Sequence, residues 1–320
     1  MKRIFKTLAT LTLVVMLLLV SVNGVFASES KAPDSITILC GVAGGTLFAV
    51  GAVISQTFRD AGVRSSAAIG GGASNIVSIN RYDAELGMTS GVFTPLAREG
   101  KEPFTEKCTD VMGIGTIYKN LVHIMVTKAS GITSIEQLKG ERFAGQPVGQ
   151  ISQLVFKDIL SVYGLSEDDL VLLPGSADEG AALVKDRHVV GLTATSGYPS
   201  ATFYEMATYI PMVMLPIPDE KFKELYKINN GYVSATWPVN TYPGINETIP
   251  GVSMDQILIV NRNMPEDEVY WITKTLVENL EEISSAHALL KDLTVEIFVN
   301  VGGVELHPGA RKYYEENGYL

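Results

Sequence analysis

The sequence is short of the residues that most often carry metal or redox chemistry. Its 320 residues include two cysteines and four histidines. No H-E-x-x-H or Cys–His spacing joins them, so we expect no metal site and no cofactor. Cys40 ends an apolar run, and Cys40 and Cys108 are expected to be two separate thiols rather than a disulfide. The histidines are His123, His188, His287 and His307.

Sequence motifs of enzymes and nucleotide-binding proteins are absent as well. Ser74 lies in Gly72-Ala73-Ser74-Asn75-Ile76, which lacks the closing glycine of a G-x-S-x-G nucleophile elbow. The segment Gly41-Val42-Ala43-Gly44-Gly45 matches neither G-x-G-x-x-G nor the P-loop pattern. His123 lies in an apolar run and is expected to be a core residue. These absences favour a binding protein over an enzyme.

Positive charge is also scarce. The chain has 25 Lys and Arg residues against 35 Asp and Glu residues, which gives a net charge of −10. Nucleic acid and anionic lipid surfaces bind to basic patches, so neither is expected as a partner.

The first residues have the pattern of an export signal. Three basic residues among the first six precede an uncharged run, residues 7–28, that contains Val25-Phe26-Ala27 near its end. This pattern predicts a signal peptide of residues 1–27, with an uncleaved membrane anchor as the alternative. Removal of this segment would take away three positive charges and no negative charge, so the net charge would change from −10 to −13. We expect an exported protein, periplasmic or associated with the cell surface.

The rest of the chain alternates between two kinds of pattern. Short apolar runs such as Ser35–Cys40 are followed by glycine turns and then by helical periodicity. This order predicts an α/β fold with mostly parallel sheets. The length suggests two lobes, residues 34–125 plus 256–320 and residues 126–255. The pattern also predicts one long helix over Glu266–Ile283 and an irregular, proline-broken stretch over residues 216–250.

Three turns rich in glycine and hydroxyl groups each follow a predicted strand. They are Gly44-Gly45-Thr46, Gly72-Ala73-Ser74 and Thr89-Ser90-Gly91. In a parallel sheet such turns lie at the carboxyl edge, where α/β proteins bind ligands. The first two also open helices, with Thr46 expected as a cap, so unpaired N–H groups there could hold an anion. The alternative is that the glycines only make tight turns.

Six segments, in their order and spacing, resemble one family of receptors. They are Gly44-Gly45-Thr46-Leu47-Phe48, Gly72-Ala73-Ser74-Asn75, Asp83-Ala84-Glu85-Leu86-Gly87, the run from Ser130 to Gly140, Thr241-Tyr242-Pro243-Gly244 and His307-Pro308-Gly309-Ala310. Together they resemble the TAXI receptors, the extracytoplasmic solute-binding subunits of one class of tripartite ATP-independent periplasmic (TRAP) transporters. The resemblance covers residues 35–319.

The resemblance implies a type II periplasmic-binding-protein fold, in which two α/β lobes close on a ligand by a hinge motion. It implies a monomer that binds a small carboxylate, such as glutamate, glutamine or 2-oxoglutarate, and delivers it to TRAP membrane subunits. The implied ligand-binding residues are Gly44, Gly45, Thr46, Phe48, Gly72, Ser74, Thr89, Ser90, Gly149, Gln150, Ser152, Ser196, Gly197, Tyr198 and Tyr242.

Two other functions remain open at the level of sequence. A ligand-sensing or surface-adhesion protein could keep the same fold without taking part in transport. An enzyme on the same scaffold would need a nucleophile or base with a positioned partner, and the sequence shows none. The sequence does not identify the ligand, its affinity or the coupling ion.

Overall fold

A computed structural model describes residues 30–148 and 150–320. The predicted signal peptide and Gly149 therefore lie outside the described residues. Residues 32–320 form one compact unit. Among the helices described, none combines the length and the apolar character needed to cross a membrane.

The described residues form twelve strands and eleven α-helices, with short 3₁₀ turns between them. The strands are β1 (Ser35–Leu39), β2 (Arg64–Ala68), β3 (Leu86–Ser90), β4 (Val111–Tyr118), β5 (Leu121–Thr127), β6 (Arg142–Gly145), β7 (Val171–Pro174), β8 (Gly191–Ser196), β9 (Met212–Met214), β10 (Val233–Trp237), β11 (Ile249–Ser253) and β12 (Gln256–Asn261). The helices are α1 (Thr46–Asp60), α2 (Gly72–Asn80), α3 (Phe93–Glu99), α4 (Ile151–Val162), α5 (Ala177–Lys185), α6 (Ala201–Tyr209), α7 (Asp219–Ile228), α8 (Glu266–Glu278), α9 (Leu280–Ala286), α10 (Val295–Phe298) and α11 (Pro308–Glu316).

The strands form two sheets. The first has the order β2-β1-β3-β12-β4, and the second has the order β10-β11-β5-β8-β6-β7, with β9 paired to β5. In the first sheet β1 is parallel to β2 and β3, and β12 is antiparallel to β3 and β4. In the second sheet β6 is parallel to β7 and β8, whereas β5 and β11 run antiparallel to their neighbours.

Each sheet contains the same β-α-β-α-β unit. In the first, β1, α1, β2, α2 and β3 give the strand order 2-1-3, and in the second, β6, α4, β7, α5 and β8 give the equivalent order. The two helices of each unit contribute to different apolar clusters, α1 and α2 in the first unit and α4 and α5 in the second. The order of the strands reverses beside β1 and beside β6. Such reversal points are where open α/β sheets bind ligands.

Two adjacent connections join the sheets. Lys119 and Asn120 link β4 to β5, and Met254 and Asp255 link β11 to β12. The Met254 N–H donates to the Asn120 carbonyl at 2.9 Å, so the two connections lie side by side. Because Leu121 pairs with both Ser196 and Ser253, the connections adjoin the carboxyl edge of β8. Gln256 pairs with Ser90 and Tyr118, so they also adjoin the carboxyl edges of β3 and β4.

The structure confirms several sequence predictions about local structure. The fold is α/β as predicted, but both sheets are mixed rather than mostly parallel. β1 is parallel to β2 and β3, β6 is parallel to β7 and β8, and the other pairs of named strands are antiparallel. Cys40 and Cys108 are both free and buried. The last helix, α11, is capped by His307, whose side chain accepts the Gly309 N–H.

Other predictions were wrong in detail. The long helix predicted over Glu266–Ile283 is interrupted at Asn279, which separates α8 from α9. The proline-rich stretch is not irregular throughout, since it contains α7, β10 and part of β11. Pro218 occupies the N-cap position of α7. Thr46 is the first helical residue of α1, and Gly45 occupies the cap position.

The division into two lobes stays a prediction, because residues 32–320 form one compact unit. The second sheet begins with β5 at Leu121. The boundary predicted between residues 125 and 126 therefore falls inside a strand of that sheet.

Close packing of α1 on the first sheet gives a stability test. A Cβ on Gly51 would lie 2.0 Å from the Cys40 Sγ and 3.4 Å from the Met88 Sδ. Gly51→Ala should therefore lower the free energy of unfolding by about 1–3 kcal/mol, although alanine normally favours a helix by about 1 kcal/mol. Urea unfolding measures the change.

A Cys40→Ala background removes the obstructing sulfur atom. There Gly51→Ala should cost much less, since the remaining close contacts are the Cβ of residue 40 at 3.2 Å and the Met88 Sδ at 3.4 Å. An equal loss of stability in both backgrounds would contradict this packing argument.

Candidate functional site

The three predicted turns lie together at the carboxyl edge of the first sheet. The Gly70 N–H donates to the Gly41 carbonyl at 3.2 Å and joins the β1–α1 loop to the β2–α2 loop. The Thr89 hydroxyl donates to the Gly72 carbonyl at 2.8 Å and joins the end of β3 to the start of α2. The turns therefore form one connected surface.

Asn75 holds this surface together, and the sequence analysis did not single it out as a site residue. Its side chain is 1% exposed, and its Nδ2 donates to the carbonyls of Leu39, Cys40 and Met88 at 3.1, 2.7 and 2.8 Å. Its Oδ1 accepts the Gly71 N–H at 3.0 Å. One amide thus connects β1, β3 and the loop that precedes α2.

The helices that open at this edge have uncapped N-termini. Gly45 precedes α1 and Gly71 precedes α2, and in the described chain neither helix has a side-chain cap or an acid in its first turn. The first N–H groups of a helix have no partner within the helix. They are therefore available to an anion, and the helix dipole adds to the attraction.

Residues of the first turn have different surroundings. Gly44 is exposed and has φ +77°, a left-handed conformation that favours glycine. Thr46 is exposed and Gly45 is half-buried, so both can be reached from solvent. Phe48 is half-buried and packs against the core beneath α1.

Hydroxyl groups at the other two turns are used in different ways. The Ser74 hydroxyl is exposed and donates to the Gly71 carbonyl at 3.0 Å, and the Thr89 hydroxyl bonds to Gly72. Ser90 is 3% exposed, and its Oγ has no hydrogen-bond partner among the described residues. A buried hydroxyl without a partner is unfavourable and marks a place where a ligand or water can bind.

The carboxyl edge of the second sheet repeats this plan. Gln146, in the β6–α4 loop, donates from Nε2 to the Thr193 carbonyl of β8 at 2.8 Å, as Asn75 does between β1 and β3. The end of β8, Thr195-Ser196-Gly197, matches Thr89-Ser90-Gly91 at the end of β3.

Five of the predicted residues, Gln150, Ser152, Ser196, Gly197 and Tyr198, also lie at this edge, whereas Gly149 is outside the described residues. Gln150 is exposed and precedes α4, and Ser152 is buried in the first turn of α4. Ser196, Gly197 and Tyr198 are half-buried. A Cβ on Gly197 would lie 2.1 Å from the Leu289 Cδ2, so this turn packs directly against the segment after α9.

Polar groups gather where the sheets connect. Tyr198 and Lys119 line a crevice of about 370 Å³, a volume that includes space open to solvent. Burial raises the pKa of Asp255, while the Ser253 hydroxyl, 2.7 Å away, and the charge of Lys119 oppose that rise. The Asn120 Oδ1 is buried without a partner in the described chain, like the Ser90 Oγ. The sequence analysis did not identify Lys119, Asn120 or Asp255.

His123 and Tyr242 lie in the apolar core of the second sheet. The His123 ring stacks on Phe203 with 4.1 Å between centroids, and its Nε2 lies 2.7 Å from the Tyr242 hydroxyl. That hydroxyl also accepts the Ser200 N–H at 2.9 Å. The prediction that His123 is a core residue is confirmed. Tyr242, predicted to contact the ligand, is 1% exposed, and its hydroxyl is already engaged.

A model of the NMT1-like family matches residues 38–318. The match covers most of the chain, which therefore belongs to the NMT1-like family.

Several solved structures resemble this chain at low sequence identity. A TctC solute binding protein from Polaromonas has a TM-score of 0.53 at 11% identity, over 88% of this chain and 86% of that one. The periplasmic sulfonate-binding protein SsuA from Methylobacillus flagellatus has a TM-score of 0.50 at 14% identity, over 90% and 78%. XAC2383 from Xanthomonas citri, bound to chloride, has a TM-score of 0.50 at 12% identity, over 89% and 96%. The predicted periplasmic-binding-protein fold is thereby confirmed.

The role of Asn75 can be tested by stability measurements. Asn75→Ala removes the donor from three backbone carbonyls, so the free energy of unfolding should fall by about 3 kcal/mol or more, since each buried group left unpaired costs about 1–3 kcal/mol. Asn263→Ala, at an exposed position, should change it by less than about 0.5 kcal/mol. Urea unfolding of both variants makes the comparison, and equal small losses would contradict the role given to Asn75.

Burial of His123 predicts an acid-sensitive fold. Desolvation lowers its pKa from 6.5 to about 3, so between these values the unfolded chain binds a proton that the folded chain does not. Stability is therefore present above pH 6.5 and is lost as the pH falls toward 3. The free energy of unfolding of His123→Phe should fall less between pH 7 and pH 5 than that of the wild type. Parallel losses in the two proteins would contradict the prediction.

Proposed function

We propose that this member of the NMT1-like family is an exported solute receptor that binds a small carboxylate and delivers it to a TRAP membrane transporter. The ligand's carboxylate occupies the carboxyl edge of the first sheet, against the N-termini of α1 and α2. The second sheet covers the ligand from the opposite side. The receptor itself carries out no chemical reaction.

The observation that carries the proposal is the convergence of the glycine turns. Two uncapped helix N-termini and the end of β3 meet at one edge, and Asn75 joins them. Each charge-assisted hydrogen bond to a carboxylate contributes about 1.5–3 kcal/mol, and a helix end adds up to about 2 kcal/mol. Few such bonds are needed for micromolar binding, which corresponds to about 8 kcal/mol.

Closure is proposed from the way in which the sheets are connected. Both carboxyl edges adjoin the paired connections at Asn120 and Met254. A rotation about these two short segments would bring the edges together over a ligand, as in hinge-type binding proteins. The unpaired Ser90 Oγ and Asn120 Oδ1 lie beside that axis, where a bound ligand or its water molecules could satisfy them.

Export and transport rest on different observations. The basic, apolar and small-residue pattern of residues 1–27 supports export. The TAXI-like segments support a TRAP partner, and the TctC and SsuA structures are solute-binding proteins of the same fold. We also propose that the receptor acts as a monomer.

A thermal-shift screen tests the proposed binding. Small carboxylates, including glutamate, glutamine, 2-oxoglutarate and other amino and keto acids, should include at least one that raises the melting temperature. At a hundredfold excess over Kd the stabilisation should be about 2.7 kcal/mol. Sulfonates and inorganic phosphate serve as comparison anions. A shift with these anions alone, or with none of the compounds, would refute carboxylate binding.

Gly71 allows the site itself to be tested. Its φ of −162° suits any residue, and a Cβ there would meet only the Ser74 Oγ, at 3.4 Å. Gly71→Ala should therefore bind the ligand nearly as the wild type does. Gly71→Asp supplies a favourable helix cap but places a negative charge at the anion site, so binding should weaken about tenfold or more.

Gly71→Asn separates the effect of the charge from that of the cap, because it fills the same space without the charge. It should bind more tightly than Gly71→Asp. Undiminished ligand affinity in Gly71→Asp would place the carboxylate elsewhere. Delivery is tested separately, by uptake of the ligand into vesicles that contain the membrane subunits, with and without the receptor.

A further inference from the structure

Three aliphatic side chains are unusually exposed, and all of them lie on the loops of the proposed site. Val42, Ile69 and Val148 are 67%, 66% and 81% exposed. Among the described valine, isoleucine and leucine residues, only these three exceed 60% exposure within the body of the chain. They occupy the β1–α1, β2–α2 and β6–α4 loops, all at carboxyl edges of parallel strands.

Val42 and Ile69 lie on adjoining loops beside the proposed anion donors. Their neighbours Gly41 and Gly70 share the 3.2 Å hydrogen bond that joins the two loops. A Cβ on Gly45 would lie 3.2 Å from the Val42 Cγ2, so the Val42 side chain packs beside the residue that precedes α1. An apolar surface is thus in contact with the N-terminus that would hold the carboxylate.

Val148 occupies the equivalent position in the second sheet. It follows β6 as Val42 follows β1, and each of these strands is the central strand of its β-α-β-α-β unit. Each of these strands is also the second neighbour of a strand that adjoins the connections between the sheets. The strand orders there are β12-β3-β1 and β5-β8-β6. Closure about the connections would therefore bring Val148 toward Val42 and Ile69.

We propose that the carboxylate ligand has an apolar body, as in a branched-chain or aromatic amino acid or the corresponding 2-oxo acid, and that Val42, Ile69 and Val148 contact it. This inference rests on the proposed function. Exposed aliphatic groups lose contact with water when such a ligand binds, which is favourable. A second carboxylate, as in glutamate or 2-oxoglutarate, would instead be placed against hydrocarbon, where burial of a charge is unfavourable.

Isothermal titration with paired ligands tests the proposal. Leucine, phenylalanine and 4-methyl-2-oxopentanoate should bind more tightly than glutamate and 2-oxoglutarate. In Ile69→Ser and Val148→Ser the Kd for the apolar ligands should rise roughly tenfold, as expected when two or three methyl or methylene groups lose apolar contact. Val171→Ser is the matched control, because Val171 is 48% exposed at the amino end of β7. It should leave the Kd unchanged.

The outcomes separate this inference from the proposed function. Tighter binding of the dicarboxylates would overturn the apolar preference and leave carboxylate binding intact. If Ile69→Ser and Val148→Ser weaken every carboxylate equally, the side chains support closure rather than contact the apolar body of the ligand, and the inference fails. If no carboxylate binds at all, both proposals fail.

Discussion

The site depends on how one buried amide fills the gap between two parallel strands. β1 and β3 pair over only two residues on each strand, Ile38 with Leu86 and Leu39 with Gly87, so they separate toward the carboxyl edge. The separation leaves carbonyl groups inside the protein that must find donors. Asn75 supplies them from the first turn of α2. Because Asn75 also accepts the Gly71 N–H, the same residue fixes the loop that precedes α2.

The second sheet meets the same constraint in a different way. β6 and β8 also pair over only two residues on each strand, and the bridging amide there is Gln146, whose longer side chain reaches Thr193 from within the loop. Two units with little sequence in common therefore end in similar edges. The Thr-Ser-Gly ends of β3 and β8 fit this view, since each continues its strand beyond the point of separation.

Features that depend on local sequence were predictable, and features that depend on strand order were not. Alternating apolar runs and glycine turns predicted both the α/β fold and the shared edge of the three turns, because strand ends and helix starts are encoded locally. Asn75 can bridge two strands only because β1 lies next to β3 in the sheet. The Ser90 Oγ and the Asn120 Oδ1 are buried without hydrogen-bond partners in the described chain because they lie where the two sheets connect. The regular structure between residues 216 and 250 was missed because prolines normally interrupt helices and strands. Pro218 occupies the N-cap position of α7. Pro250 lies in β11, which pairs with β10 but contacts β5 only at Ser253.

If residues 1–27 are removed, the proposed receptor has a net charge near −13 and would have to attract its anion against its own field. At physiological salt that field is screened beyond about 8 Å, whereas backbone amides act at contact distance. Amides recognise any carboxylate, so they cannot decide which one binds. Discrimination must come from side chains that touch the rest of the ligand, and Val42 and Ile69 are the large hydrophobic side chains exposed on the loops nearest the amides. In the proposed site, affinity and selectivity would thus arise from different parts of the same loops.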